Sequence, residues 1–261
     1  MARNSLKNVC RLLDKQVQPV EQEFLSDLKR SIEIQNEENR RLPSKTFKPS
    51  GMKCIRSMYY QVLGVEPDKE NSSYIGVGIC NAGSDIHERI QTAISDMKKS
   101  GIDCEYVDVG EFVKQRNLDD VEVVSKQGME TKLYHERLNM SFLCDGIVRY
   151  KGKYYIVELK TETVNKFWSR KEVAEEHYNQ ATAYSLALGI DDVIFIYICR
   201  DNLDMKSFMF HVSDEMRAKL AAFITECQEY IDKETEPPIP EQSGVKFCQY
   251  CTYKSTCKGA T

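Results

Sequence analysis

Long apolar runs, an apolar leader-like block at the start, a strong charge bias and internal repeats are not seen in these residues. No stretch of about 18 consecutive apolar residues occurs, so no helix crossing a bilayer is expected. The opening residues, MARNSLKNVCRLLDKQ, hold no apolar block of the sort a secretory signal carries. A reducing, cytoplasmic compartment is therefore expected. The ten cysteines then read as core thiols, metal ligands or cluster ligands rather than disulfides. The formal net charge is only -4, so the overall balance names no polyanionic partner. What is present is a chain of 261 residues with ordinary composition. That is one large domain, or one with small additions, able to bury a core without disulfide support.

Apolar positions at Leu6, Val9, Leu13, Val17, Val20, Phe24 and Leu28 step by threes and fours. They predict a helical arm over residues 1–42, kinked at Pro19 and packed against the rest of the chain. Next comes a loop with Lys45 and Pro49, then a short helix capped by Ser50 that carries Cys54, Met58 and Tyr59. SSYIGVGIC predicts a strand or extended approach. NAGSDIHERIQTAISDMKKSG predicts a helix with Ile86, Ile90, Ala93 and Met97 on one face and Gly101 as its stop. Short β-like runs, VEVVSK and TKLYHERL, precede a hairpin over 143–161. A helix over 169–189, strands in DDVIFIYICR and MKSFMFHVS, and a helix over 214–233 follow. The prolines of EPPIPEQSG mark a linker between a core over 43–236 and a tail over 237–261. Strands and helices in this mixed order argue for the α/β class, a central mixed sheet flanked by helices.

The hairpin CDGIVRYKGKYYIVELKT carries the chemistry. A two-residue turn at Lys151-Gly152 pairs position 150 with 153, and the same register sets Asp145 opposite Glu158. Directly opposed side chains have Cβ atoms about 4.5–5.5 Å apart, and like charges there destabilise the sheet. Lys160, two residues on, shares their face, while Val148, Tyr150, Tyr155, Val157 and Leu159 take the other. Two arrangements relieve the repulsion: a hard divalent cation such as Mg²⁺ or Mn²⁺, or lysines and arginines at a solvated rim. Geometry alone leaves both open.

At Asp145 and Glu158-Leu159-Lys160 the sequence resembles the PD-(D/E)XK nuclease superfamily. Gly83-Ser84-Asp85-Ile86-His87-Glu88 is similar to the early helix motif of its RecB-like group, whose histidine binds metal. Gln180 and Tyr184, one helical turn apart, are similar to that group's QxxxY motif. His177 lies a turn earlier with no role assigned. Cys248, Cys251 and Cys257 follow the last helix, with Cys54 far upstream. This resembles the iron–sulfur members, including the CRISPR-adaptation exonucleases and AddB-type recombination nucleases. The resemblance covers residues 50 to 258, but NMSFLCDG departs from the glycine-rich approach many relatives show before the aspartate.

The resemblance implies a restriction-endonuclease-like fold and a metal-dependent DNA nuclease. An exonuclease acting on single strands or ends is implied, in recombination, repair or replication, in a cell or a virus. It implies Mg²⁺ or Mn²⁺ on His87, Asp145, Glu158 and the Leu159 carbonyl, with Lys160, Gln180 and Tyr184 in the catalytic constellation. It also implies a [4Fe–4S] cluster on the four cysteines, clipping the tail to the segment before the core. Zn²⁺ on the same four thiolates is the alternative. The remaining thiols, Cys10, Cys80, Cys104, Cys144, Cys199 and Cys227, read as small buried hydrophobes.

Basic stretches at 41–60, 149–171 and 244–258 give the DNA surface. Lys48, Lys53, Arg56, Lys166, Arg170 and Lys254 are its expected contacts, with Trp168, Tyr184, Phe167, Tyr250 and Tyr253 as interleaved aromatics. A solvated basic surface over core aromatics remains the alternative. A nuclease-like accessory subunit that binds DNA without cutting, a helicase or recombination protein as partner, and a zinc-clipped scaffold complete the expectations.

Overall fold

The structure, a computed structural model, describes residues 19–39, 43–68, 73–239, 248 and 251–257. Expectations for Leu6 to Val17, Cys10, Arg41, Lys246, Tyr250 and Lys258 fall outside those residues. In chain order the elements are α1 (Val20–Glu38), α2 (Ile55–Val62), α3 (Tyr74–Ser95), β1 (Cys104–Val107), α4 (Val109–Gln115), β2 (Val121–Gln127), β3 (Glu130–His135) and β4 (Met140–Cys144). β5 (Gly146–Tyr150), β6 (Lys153–Glu162), α5 (Val164–Ser169), α6 (Tyr178–Leu188), β7 (Asp192–Cys199), β8 (Met205–His211) and α7 (Asp214–Asp232) complete them.

A five-stranded mixed sheet in the order β1-β5-β6-β7-β8 forms the centre. Its nucleus is the 143–161 hairpin. Lys151 and Gly152 take φ of 49° and 81°, the left-handed pair a two-residue hairpin turn needs. Tyr150 then pairs with Lys153, and Gly146 with Val157. β6 continues past its partner and pairs in parallel with β7. The connection carries α5 and α6, the crossover any parallel pair requires. β6 and β7 are near-continuous apolar runs because both sheet faces are covered. Ile147, Ile156, Phe195 and Tyr197 belong to the larger core with Ala183, Leu188, Leu220 and Ile224 of α6 and α7. Val148, Val157, Leu159 and Ile198 form the opposite layer, against Ile86, Ile90 and Ile94 of α3. Strands β2, β3 and β4 form a second, antiparallel sheet.

Several local expectations are corrected. Within SSYIGVGIC, Tyr74 to Cys80 form the first turns of α3 rather than a strand. The alternation of Ile75, Val77 and Ile79 imitates a strand, but Ser73 starts a helix through Gly76 N–H on its hydroxyl and Val77 N–H on its carbonyl. Cys80, within that segment, is exposed rather than buried. On the α3 core face Ile94 takes the place expected for Ala93, and the helix ends at Ser95. The short helix is capped at Cys54, not Ser50, which lies in a separate 3-10 turn. The 169–189 helix begins only at Tyr178. Upstream, Arg170 is extended and bound to Glu162, and Ala174 N–H is held by the Tyr197 hydroxyl. Its C-terminus is at Gly189, at φ 65°, as the sequence indicates.

The chain divides into two compact units, Met1–Arg41 with Glu70–Cys80, and Leu42–Lys69 with Asn81–Thr261. Within the first, Tyr74 N–H bonds the Glu33 carboxylate and Lys29 lies over the Tyr74 ring. Pro19 is the N-cap of α1. No residue of α1 is buried, and Val20 and Phe24 are 78% and 68% exposed. Among the described residues no helix is long and apolar enough to cross a membrane.

Candidate active site

Asp145 sits between β4 and β5 and is fixed from three directions. Its carbonyl accepts the Gln91 amide of α3 at 2.8 Å and the Tyr106 hydroxyl of β1 at 2.9 Å. Its Oδ2 accepts the Leu159 N–H at 2.8 Å. Gly146 is required next to it, because a Cβ there would lie 2.8 Å from Tyr106 Cε2 and 3.0 Å from its hydroxyl. Gly146→Ala is expected to displace Tyr106 and with it the Asp145 peptide. Overpacking of this kind costs roughly 1–3 kcal/mol. A melting curve beside a cleavage assay checks it, and unchanged values in both would show that Tyr106 yields freely.

Glu158 lies on β6, buried, facing α6. Its Oε1 accepts from Lys160 Nζ at 2.6 Å and from Gln180 Nε2 at 2.6 Å. Gln180 Oε1 accepts from Lys160 at 3.1 Å, and Gln180 Nε2 also donates to the Tyr184 hydroxyl at 2.8 Å. Tyr184 passes the chain on to Leu143 O at 3.1 Å. Gln180 therefore positions both the carboxylate and the lysine. Tyr184 is itself buried and supports Gln180, so its ring does not stand on the surface as a DNA contact would. Glu158 Oε2 is buried and has no hydrogen-bond partner among the described residues. Burial, then the Asp145 charge, raises the Glu158 pKa to about 7 against the pull of Lys160.

His87 on α3 brings Nδ1 to 3.7 Å from Asp145 Oδ1. Burial disfavours its charged form, but Asp145 outweighs this and raises its pKa. Glu130 completes the group. Ligand atoms of His87, Glu130 and Asp145 lie within 4.8 Å of one another, the group of this kind found among the described residues. Burial, then Asp145, raises the Glu130 pKa. Glu130 is absent from the sequence-derived set, yet a signal exists. β3 and β4 pair Thr131 with Cys144, and extending that register by one sets Glu130 opposite Asp145. The arithmetic that pairs Asp145 with Glu158 finds it once the second hairpin is placed.

The expected DNA contacts separate into two groups. Lys48, Lys53 and Lys254 are exposed, Lys166 is half-exposed beside Glu176, and Trp168 is 57% exposed. Arg56 is instead buried against Tyr60, Glu236 and the Pro237 carbonyl. Arg170 is locked in a bidentate pair with buried Glu162. Both guanidiniums are spent on these partners and are withdrawn from the surface. Phe167 and Tyr253 are core residues, Tyr253 packing on Tyr60 with ring centroids 5.7 Å apart.

Cys54, Cys248, Cys251 and Cys257 are half-buried free thiols. The Cys251 thiol is raised by burial, and Cys54 and Cys248 both act on it. The tail is held by Asp68, whose N–H bonds Thr252 O at 2.6 Å and whose carboxylate accepts from Ser255 N–H at 2.8 Å. Cys104, Cys144, Cys199 and Cys227 are buried.

The family model described as PD-(D/E)XK nuclease superfamily matches residues 81–258, well over half of the chain. No curated protein matches the sequence. Among solved structures, one described as "Crystal structure of SSO0001" is similar at 14% identity and a TM-score of 0.46, covering 91% of this chain and 98% of its own. An alkaline exonuclease, LHK-Exo, from Laribacter hongkongensis is similar at 12% identity and a TM-score of 0.45, covering 74% and 90%. The same exonuclease in complex with dAMP gives 12% and 0.43, covering 73% and 89%.

Proposed function

Because the chain belongs to the PD-(D/E)XK nuclease superfamily, we propose that it is a divalent-metal-dependent deoxyribonuclease, an exonuclease acting on single strands or DNA ends. The observation carrying the metal dependence is the bare Glu158 Oε2, buried in a site where His87, Glu130 and Asp145 already converge. A buried unsatisfied polar atom costs roughly 1–3 kcal/mol, and more when charged. A bound cation removes that cost. Carboxylate oxygens with one imidazole nitrogen suit Mg²⁺ or Mn²⁺. His87, Asp145, Glu158 and the Leu159 carbonyl, joined by Glu130, are the residues that would hold it. Such an ion lowers the pKa of a ligated water and neutralises charge on the scissile phosphate.

The chain's own share is positioning. Lys160 is clamped by Glu158 and Gln180, so its ammonium meets growing negative charge without first reorganising. Asp145, held through its carbonyl and its Oδ2, keeps the carboxylate geometry constant. End-labelled single- and double-stranded DNA with Mg²⁺ or Mn²⁺, against EDTA, tests the reading. Wild type is expected to cut only with metal, and Lys160→Ala to cut about 10²–10³-fold more slowly. Wild type that binds DNA yet never cuts it supports the accessory-subunit alternative instead.

On the same reading, the four half-buried thiols would supply the donor set of a [4Fe–4S] cluster. Zinc is the competing occupant. With Lys254 in the tail and Lys48 and Lys53 near Cys54, this clip gathers two basic stretches on one nucleic-acid path.

A further inference from the structure

His177 precedes Gln180 by one turn, and its hydrogen bonds fix which ring nitrogen carries the proton. The Tyr197 hydroxyl accepts the Ala174 N–H at 3.0 Å and lies 2.9 Å from His177 Nδ1. No other acceptor reaches that hydroxyl among the described residues, so its proton goes to Nδ1. The imidazole proton is then on Nε2. Burial, aided by Lys160, brings the pKa down to about 3, so the ring is neutral at any working pH. It is stacked on Phe195 and Tyr197, both at 5.9 Å. Nε2 makes no hydrogen bond among the described residues, and the side chain is half-buried.

Three cations act on this donor, two of them also paired with carboxylates, Lys160 with Glu158 and Lys166 with Glu176 and Glu162. Lys160, Lys53 and Lys166 all act on the ring, with Glu176 opposing. The Lys53 pKa is lowered by desolvation, against Glu176, with Lys160 and Lys166 adding to the fall. A rigid, neutral N–H donor among three cations is matched to an anionic oxygen. A metal ion is repelled there and finds Nε2 already protonated.

We propose that His177 Nε2–H, with Lys53 and Lys166, forms a phosphate-binding subsite beside Lys160 that grips a strand phosphate other than the scissile one. This rests on the nuclease reading. The test is anisotropy of a fluorescein-labelled single-stranded oligonucleotide in EDTA across a salt series, with initial cleavage rates in Mn²⁺ alongside. His177→Phe keeps the ring stack and removes the donor. It is expected to weaken binding about tenfold and raise KM by a similar factor, with kcat little changed. The slope of log affinity against log salt should not move, because a neutral donor displaces no counterion. Lys53→Ala should weaken binding and also reduce that slope by about 0.7. Tyr197→Phe, which frees the tautomer, should weaken binding about threefold. A folded His177→Phe protein that binds like wild type overturns the subsite, as does one whose salt slope falls. If His177→Phe does not fold, unchanged affinity in Tyr197→Phe overturns it. Wild type that never cleaves defeats the nuclease reading alone, since the binding series still decides the subsite.

Discussion

Asp145→Asn is expected to lower the cleavage rate at least ~10³-fold and, in EDTA, to raise the melting temperature of the same protein. The two effects have one origin. Asparagine keeps the acceptor for Leu159 N–H but removes one of the charges that crowd Glu158. Burial first, then Asp145, lifts the Glu158 pKa from the ordinary 4.5 to about 7. A carboxyl whose folded pKa lies above its unfolded one favours the fold while protonated. The metal-free protein is thus most stable below the unfolded pKa and loses that stability as pH rises to and through 7. Melting in EDTA should fall across this window for wild type and fall less for Asp145→Asn. Each kcal/mol moves the midpoint by about 2–4 °C in a domain of this size. Adding Mn²⁺ above pH 7 should recover the loss in wild type only. A melting temperature that drops in Asp145→Asn, with the wild-type pH slope retained, would show that Asp145 does not press on Glu158.

The strand pair that carries Asp145, Glu158 and Lys160 is legible in the sequence because its determinants are local. A Lys-Gly turn and a period of two fix the register of Asp145, Glu158 and Lys160 over fewer than twenty residues. The α/β order of elements and the Gly189 stop are legible for the same reason. Glu130 is not, because its place depends on a second hairpin whose four-residue connection, 136–139, carries a left-handed Asn139 rather than a short glycine turn. Arg56 and Arg170 mislead because a basic residue in a basic stretch gives no sign of a distant acid. Glu236 lies some 180 residues from Arg56, and Glu162 meets Arg170 only after β6 overruns its hairpin partner. The strand-like 73–80 segment fails on competition. Alternating apolar residues form a strand only where a neighbouring edge offers hydrogen bonds, and here a serine cap and a strong downstream helix win.

On the proposed reading that the four thiols hold a metal, Cys54→Ala is expected to lower stability by about 4 kcal/mol and to speed proteolysis near the C-terminus. A tie between Cys54 and the cysteines at 248–257 closes a loop of nearly the whole core. In the chain-entropy picture a loop of a hundred residues or more contributes about 4–5 kcal/mol. The contacts that would remain are few: Asp68 with Thr252 and Ser255, Tyr253 on Tyr60, and Arg56 with Glu236 and Pro237. Of these, Arg56, Tyr60, Pro237 and Tyr253 are buried, and solvent competes with the rest. Loss of the tie should leave the sheet and the Asp145 site folded while the tail detaches. It should also weaken binding of single-stranded DNA, because Lys254 leaves with the tail and each lost phosphate contact lowers the salt slope by about 0.7. Metal analysis of anaerobically purified protein separates the occupants. A cluster gives about four irons with matching sulfide and absorbance near ~400 nm, whereas a clip of the other kind gives one zinc and no colour. Protein that holds neither metal, and whose melting temperature and protease pattern are untouched by Cys54→Ala, would leave the tail anchored by Asp68, Tyr253 and Arg56 without a metal clip.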